Sequence, residues 1–171
     1  MKKTLFIIIT ILISLNIYGQ NKNQIDFKAV IKSNNINNNI KWISFEDLSK
    51  IKTPLKKKIL IFFEKPNCPY CQEMKETTFK NKEVVSVINK NFYAIKFNYW
   101  SDENVFFNNK TYKSPNNFHE IFTYLVTPTK GNYYSPTTVI LDENYNKIQQ
   151  QPGKVETGQF MKILKRFAIS R

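Results

Sequence analysis

Cys68 and Cys71 are the only two cysteines of a 171-residue chain, and Pro69 and Tyr70 stand between them. Two intervening residues let both sulfurs meet within one helical turn, the geometry of reversible disulfide exchange. A cysteine at the start of a helix faces unpaired backbone N–H groups and the positive end of the helix dipole, both of which favour a thiolate. Cys68 is therefore the candidate nucleophile. Cys71, farther into the helix, is the candidate to resolve a mixed disulfide. Lys65, three residues before Cys68, is a further candidate for favouring the thiolate. A pair at this spacing can also be a static structural bond or half of a metal site. His119 is the only histidine and no third cysteine exists to complete a soft-ligand set.

These cysteines need a rigid strand before them and a helix after them. Ile59-Leu60-Ile61-Phe62-Phe63 is apolar at every position and predicts a central buried strand. Pro66-Asn67 ends it, and Pro69 suits the first turn of a helix predicted from Pro69 to Thr78. A second helix after Asn81 carries Val84, Val85 and Ile88 on one face. Phe92 to Asn98 reads as another strand, so this β-α-β stretch implies parallel pairing with a right-handed crossover. Upstream, Ile40, Trp42 and Ile43 predict a short strand. Ser44, with Asp47 three residues on, caps a helix running to about Ile51. Downstream, Val105-Phe106-Phe107 and Lys110-Thr111-Tyr112 form a hairpin across Asn108-Asn109. Phe118, Ile121, Phe122 and Leu125 have helical spacing. After a loop from Thr127 to Ser135 come a strand from Thr137 to Leu141, a turn, a returning strand from Tyr145 to Gln150 and a final helix bearing Phe160, Ile163, Leu164 and Phe167. Pro136 stands directly before the Thr137 strand. A cis proline there would offer the strand's backbone edge to a substrate.

With 42% hydrophobic and 15% aromatic residues, only 4 Gly and 7 Pro, the composition excludes collagen-like, linker-like and wholly disordered classes. Residues 1–19 combine Lys2-Lys3, an apolar run from Leu5 to Leu15 and Gly19 before a polar stretch, which predicts a cleaved signal peptide and an exported protein, periplasmic or secreted. Such a compartment is oxidising, where disulfide chemistry matters. Residues 20–39 are asparagine-rich and predict a flexible leader, with Phe27 to Ile31 as a possible edge strand. The domain spans 40–171. The net charge is +13, but the lysines are scattered and no Arg–aromatic stripe is present. The charge is read as solvated surface, and no nucleic-acid partner is expected.

Trp42, then ILIFFEKPNCPYC, Met74 and Thr77-Thr78-Phe79, then YSPTTVILDE (Tyr134 to Glu143) and QPGKVETGQFMKILKRF (Gln151 to Phe167), follow one another in an order that resembles exported bacterial thioredoxin-like proteins. The resemblance runs from about Ile40 to the C-terminus. It implies an α/β thioredoxin fold, a central mixed sheet flanked by helices. It also implies a Cys68–Cys71 redox pair and Pro136 as the cis proline, with Ser135, Tyr70 and Pro69 beside them. The Pro-Tyr dipeptide is similar to glutaredoxin and points to a poise less reducing than thioredoxin's ~−270 mV. Phe62 stands where thioredoxin carries a buried aspartate, so the proton acceptor for Cys71 is expected elsewhere, with Glu64 or water the candidates. Tyr99 to Ser135 is an insertion before the cis-proline strand, expected to shape substrate choice.

Met74 is expected to fill core, His119 to be an ordinary helix histidine and Gly153 to serve a turn. Tyr70 is expected to be exposed. The Phe106-Phe107 and Tyr133-Tyr134 pairs are expected to pack. The expected activity is thiol–disulfide exchange on protein thiols and disulfides by a monomer, with no dissociable cofactor and with a membrane electron-transfer partner as a candidate. Two other classes compete: a thioredoxin-fold binding module with a structural disulfide, and a soft-metal (copper) chaperone.

Overall fold

Ile59, Ile61 and Phe63 project from one side of their strand and Leu60 and Phe62 from the other, so this run needs apolar cover on both faces. The computed structural model supplies it; the residues it describes are 39–116 and 118–168. The predicted signal peptide and the leader up to residue 38, with its strand at 27–31, lie outside the described residues. The elements in chain order are β1 (Trp42–Ile43), α1 (Phe45–Ser49), β2 (Lys58–Glu64), α2 (Pro69–Glu76), a 3₁₀ turn (Thr78–Lys80), α3 (Lys82–Asn91) and β3 (Phe92–Asn98). They continue with β4 (Val105–Phe107), β5 (Lys110–Tyr112), α4 (Glu120–Leu125), β6 (Thr137–Leu141), β7 (Lys147–Pro152) and α5 (Thr157–Ala168).

Five strands form one mixed sheet in the order β1-β3-β2-β6-β7. β2 is parallel to β3 and antiparallel to β6, and β7 is antiparallel to β6. Ile59, Ile61 and Phe63 bury against Phe45, Leu48, Ile121 and Phe122 on one face. Leu60 and Phe62 bury against Met74, Val84, Ile88, Phe160 and Leu164 on the other. The register matters for the chemistry. Glu64 lies beside Asn98 and Phe63 faces Thr137, so the loop that leaves β2 and the loop that enters β6 meet at one end of the sheet.

Local chemistry explains most boundaries. Ser44 and Asp47 form the expected reciprocal cap, with the Asp47 N–H donating to Ser44 Oγ at 2.9 Å and the Ser44 N–H to Asp47 Oδ2 at 3.0 Å. The Asn81 side chain takes the Glu83 and Val84 N–H groups and starts α3. Asn108 and Asn109 both adopt left-handed backbone, φ 47° and 60°, which matches the twist of the β4–β5 hairpin.

Several boundaries differ from expectation: β1 starts at Trp42 rather than Ile40, and the last strand runs to Pro152 rather than Gln150. α1 stops at Ser49 rather than Ile51. α2 stops at Glu76, where the Thr77 hydroxyl bonds the Glu73 carbonyl, and a 3₁₀ turn follows. The returning strand begins at Lys147, not Tyr145, because the Asp142 carboxylate gathers the N–H groups of Asn144 and Asn146 and turns the chain through Tyr145 at φ 67°. Among the described residues, no helix is long and apolar enough to cross a membrane.

Candidate functional site

The chain leaves β2 through Pro66 and a left-handed Asn67 (φ 54°), a conformation asparagine tolerates. That reversal makes Cys68 the N-cap of α2 with Pro69 in the first turn. Cys68 and Cys71 are joined by a disulfide, their Cα atoms 5.3 Å apart. Cys68 Sγ accepts the Cys71 N–H at 3.1 Å. The sulfur thus occupies the place a serine or aspartate oxygen takes in an ordinary N-cap, and any charge it gains is met by a backbone donor and the helix dipole. Cys68 retains 9% exposure, whereas Cys71 retains 1%.

Ser135, the residue entering β6, brings its Oγ to 3.3 Å from Cys71 Sγ across 64 positions of sequence. The Ser135–Pro136 peptide bond is cis. Pro136 carbonyl oxygen accepts the Gly153 N–H at 2.7 Å, and Gly153 sits at φ 78°, where a side chain would be strained. Next to it, Lys154 Nζ bridges Glu73 on α2 and Glu156 at 2.7 and 2.9 Å. These hydrogen bonds raise its pKa and tie the Gly153 loop to the dithiol helix. Tyr99, at the end of β3, is 3% exposed and stacks on Phe122 at 4.0 Å. Burial holds its phenol above the ordinary pKa, against a hydrogen bond with the Ser135 hydroxyl that lowers it.

On the other flank of the dithiol is a cavity of about 620 Å³ bounded by Glu64, Lys65, Cys68, Cys71, Lys75 and Asn98, among others. Glu64 ends β2 and pairs with Lys75 Nζ at 2.8 Å; its side chain is 15% exposed. Lys65 places its ammonium over the Trp100 ring, 5.5 Å from the centroid. The cavity wall therefore includes this ion pair as well as the two cysteines.

Phe62 is fully buried and packs edge-on against Phe79 at 4.8 Å, so an aromatic cluster occupies the space under α2. Met74 is buried core, and its sulfur accepts the Val155 N–H at 3.5 Å. Tyr70 is 59% exposed at the tip of the motif. Of the aromatic pairs, Phe107 packs inside, while Phe106, Tyr133 and Tyr134 keep substantial exposure. His119 is not within the helix but caps it. It is fully buried, Nδ1 accepts the Ile121 N–H at 3.1 Å, and Nε2 meets the Glu103 carbonyl at 2.8 Å. Three residues at this end of the sheet escaped the sequence reasoning: Tyr99, Lys75 and Lys154. Only Lys75 left a trace, standing one helical turn after Cys71.

A mixed sheet with helices on both faces, a CxxC disulfide at the first turn of the helix after the central strand and a cis proline opposite it define a thioredoxin fold with a redox-type motif. A family model for the thioredoxin-like domain matches residues 45–168, and the chain belongs to that family. Among solved structures it is similar to a thioredoxin-fold protein from Helicobacter pylori, with 22% identity, TM-score 0.52, and coverage of 77% of this chain and 78% of that one. It is also similar to a thioredoxin from Thermus thermophilus, with 16% identity, TM-score 0.54, and coverage of 74% and 85%. Comparison with curated proteins returns no match.

Proposed function

We propose that this protein is a thiol–disulfide oxidoreductase that acts on protein disulfides outside the cytoplasm. Cys68 attacks or is attacked, and a mixed disulfide forms on it. Cys71 then displaces the client and restores the internal bond. The observation that carries the reading is the N-cap sulfur: Cys68 Sγ accepts the Cys71 N–H at the dipole end of α2 while keeping some exposure, which favours an accessible thiolate. Pro136, Ser135, Pro69 and Tyr70 border the place where a client strand would lie. Glu64, paired with Lys75 on the cavity wall, serves as proton acceptor for Cys71 in place of the aspartate that Phe62 excludes. No dissociable cofactor takes part. Electrons pass to or from another dithiol protein, a membrane electron carrier being the candidate partner, and the protein works as a monomer. Export rests on the signal-like segment 1–19, with cleavage after Gly19.

Insulin reduction by the purified full chain with dithiothreitol tests this. Turnover is expected, with loss on Cys68→Ser and accumulation of a mixed disulfide on Cys71→Ser. Full activity in Cys68→Ser would overturn the assignment.

A further inference from the structure

A disulfide sulfur carries no proton. In the contact between Cys71 Sγ and Ser135 Oγ, 3.3 Å apart, the hydrogen can therefore come only from the serine. Cys71 is 1% exposed, so water contributes little at that sulfur and the hydroxyl is its polar neighbour. Resting on the oxidoreductase function above, we propose that the Ser135 hydroxyl is a catalytic hydrogen-bond donor that stabilises Cys71 Sγ as the leaving thiolate when the internal disulfide is opened.

The step balances as follows. A thiolate of an incoming dithiol attacks Cys68 Sγ, the more exposed sulfur. A new S–S bond forms there as the Cys68–Cys71 bond breaks, and the electron pair leaves on Cys71 Sγ. The second thiol of the reductant then displaces Cys68 as a thiolate, its proton passing to Cys71 or to solvent. The reductant closes its own disulfide and the protein gains two electrons. During the first of these events charge grows on Cys71, and an O–H···S contact already in place becomes a charge-assisted one without reorganisation. The same contact acts in reverse during client release, since it keeps Cys71 ionised for attack.

Ser135 is held for this task by the backbone on both sides of it. The Pro136 carbonyl accepts the Gly153 N–H at 2.7 Å, and the Thr137 hydroxyl donates to the Tyr134 carbonyl at 2.7 Å. Pairing of Thr137 with Phe63 then fixes the entry to β6 beside the dithiol.

The test compares the wild-type full chain with Ser135→Ala, Ser135→Thr and Ser135→Val. Opening of the oxidised protein by dithiothreitol is followed by quenched alkylation. The acidity of the lone Cys71 is read from its alkylation rate against pH in a Cys68→Ala background. Ser135→Ala is expected to slow opening about tenfold and to make the Cys71 thiol about tenfold weaker as an acid, the worth of one hydrogen bond to a charged group. Ser135→Thr, which keeps the hydroxyl, restores both. Ser135→Val, which has the shape of threonine without its hydroxyl, is expected to shift both in the same direction as Ser135→Ala and keeps the test alive should Ser135→Ala fail to fold. Cys71 acidity and opening rate that ignore loss of the Ser135 hydroxyl would overturn the proposal. A wild type inert toward insulin whose Cys71 acidity still depends on Ser135 would overturn the oxidoreductase function and with it the catalytic role, while the hydrogen bond from Ser135 to Cys71 would stand.

Discussion

Reducing the Cys68–Cys71 bond should change the stability of this domain very little, in contrast to an ordinary structural disulfide. The bond joins residues only three apart in sequence. Closing so short a loop restricts the unfolded chain by about 2 kcal/mol in the chain-entropy estimate. Against this, the reduced form gains a thiolate at the α2 N-cap. A charged acceptor taking the Cys71 N–H is worth about 1.5–3 kcal/mol, and the helix end adds about 0.3–1 kcal/mol. The two terms nearly cancel, so oxidised and reduced proteins should unfold within about 2 kcal/mol of each other, equivalent to about 40 mV. The balance depends on pH. A Cys68 thiol whose folded pKa lies below its unfolded value of about 8.5 contributes full stabilisation above that value, and loses it as pH falls through the folded pKa. The reduced form should therefore gain on the oxidised form as pH rises. Urea unfolding of both forms between about pH 6 and 9, with thiolate absorbance recorded on the reduced protein, measures this. An oxidised form more stable by 2 kcal/mol or more, with no pH dependence and no thiolate signal at neutral pH, would refute the N-cap argument. It would leave a structural disulfide.

Glu64→Gln should slow client release by Cys71 about tenfold at neutral pH and flatten the pH–rate profile, since a free thiol is already a few per cent ionised there and base assistance can add little more. An unchanged profile would remove Glu64 from the mechanism. His119→Ala should cost about 2–4 kcal/mol in urea unfolding, because it removes the α4 cap and empties a fully buried site. Asp142→Ala should cost about 1 kcal/mol after allowance for solvent. Partial burial raises the Asp142 pKa, and the hydrogen bonds from Asn146 and Asn144 outweigh it and bring the pKa below the ordinary value. The stabilisation is present above about pH 3.9 and is lost as pH falls through the folded pKa, which thermal melts at low pH would show.

Chemistry confined to neighbouring residues was legible in the amino-acid order. The all-apolar Ile59–Phe63 run specified a strand covered on both faces. Ser44 with Asp47, and Asn108 with Asn109, specified a cap and a turn through their own side chains and backbone preferences. Cys68-Pro69-Tyr70-Cys71 after a strand specified a sulfur at a helix start. Each depends on contacts within a few positions, where dihedral preference and hydrogen-bond reach decide the outcome. Element ends were less legible. Whether the strand after Asp142 begins at Tyr145 or Lys147 depended on a carboxylate collecting amides, which the apolar pattern does not record.

What surrounds the sulfurs was decided only by tertiary structure. Ser135 reaches Cys71 because β6 pairs antiparallel with β2 in a register that sets Thr137 against Phe63. A one-residue slip would turn Ser135 away. Glu64 finds Lys75 because α2 folds back over the end of its own strand. His119 looked like one more polar position on a helix, yet packing buried it and made it a cap. Side chains tens of positions apart meet only where strand register and helix packing agree, and one-dimensional patterns carry which residues are apolar far better than which partner each polar group will find.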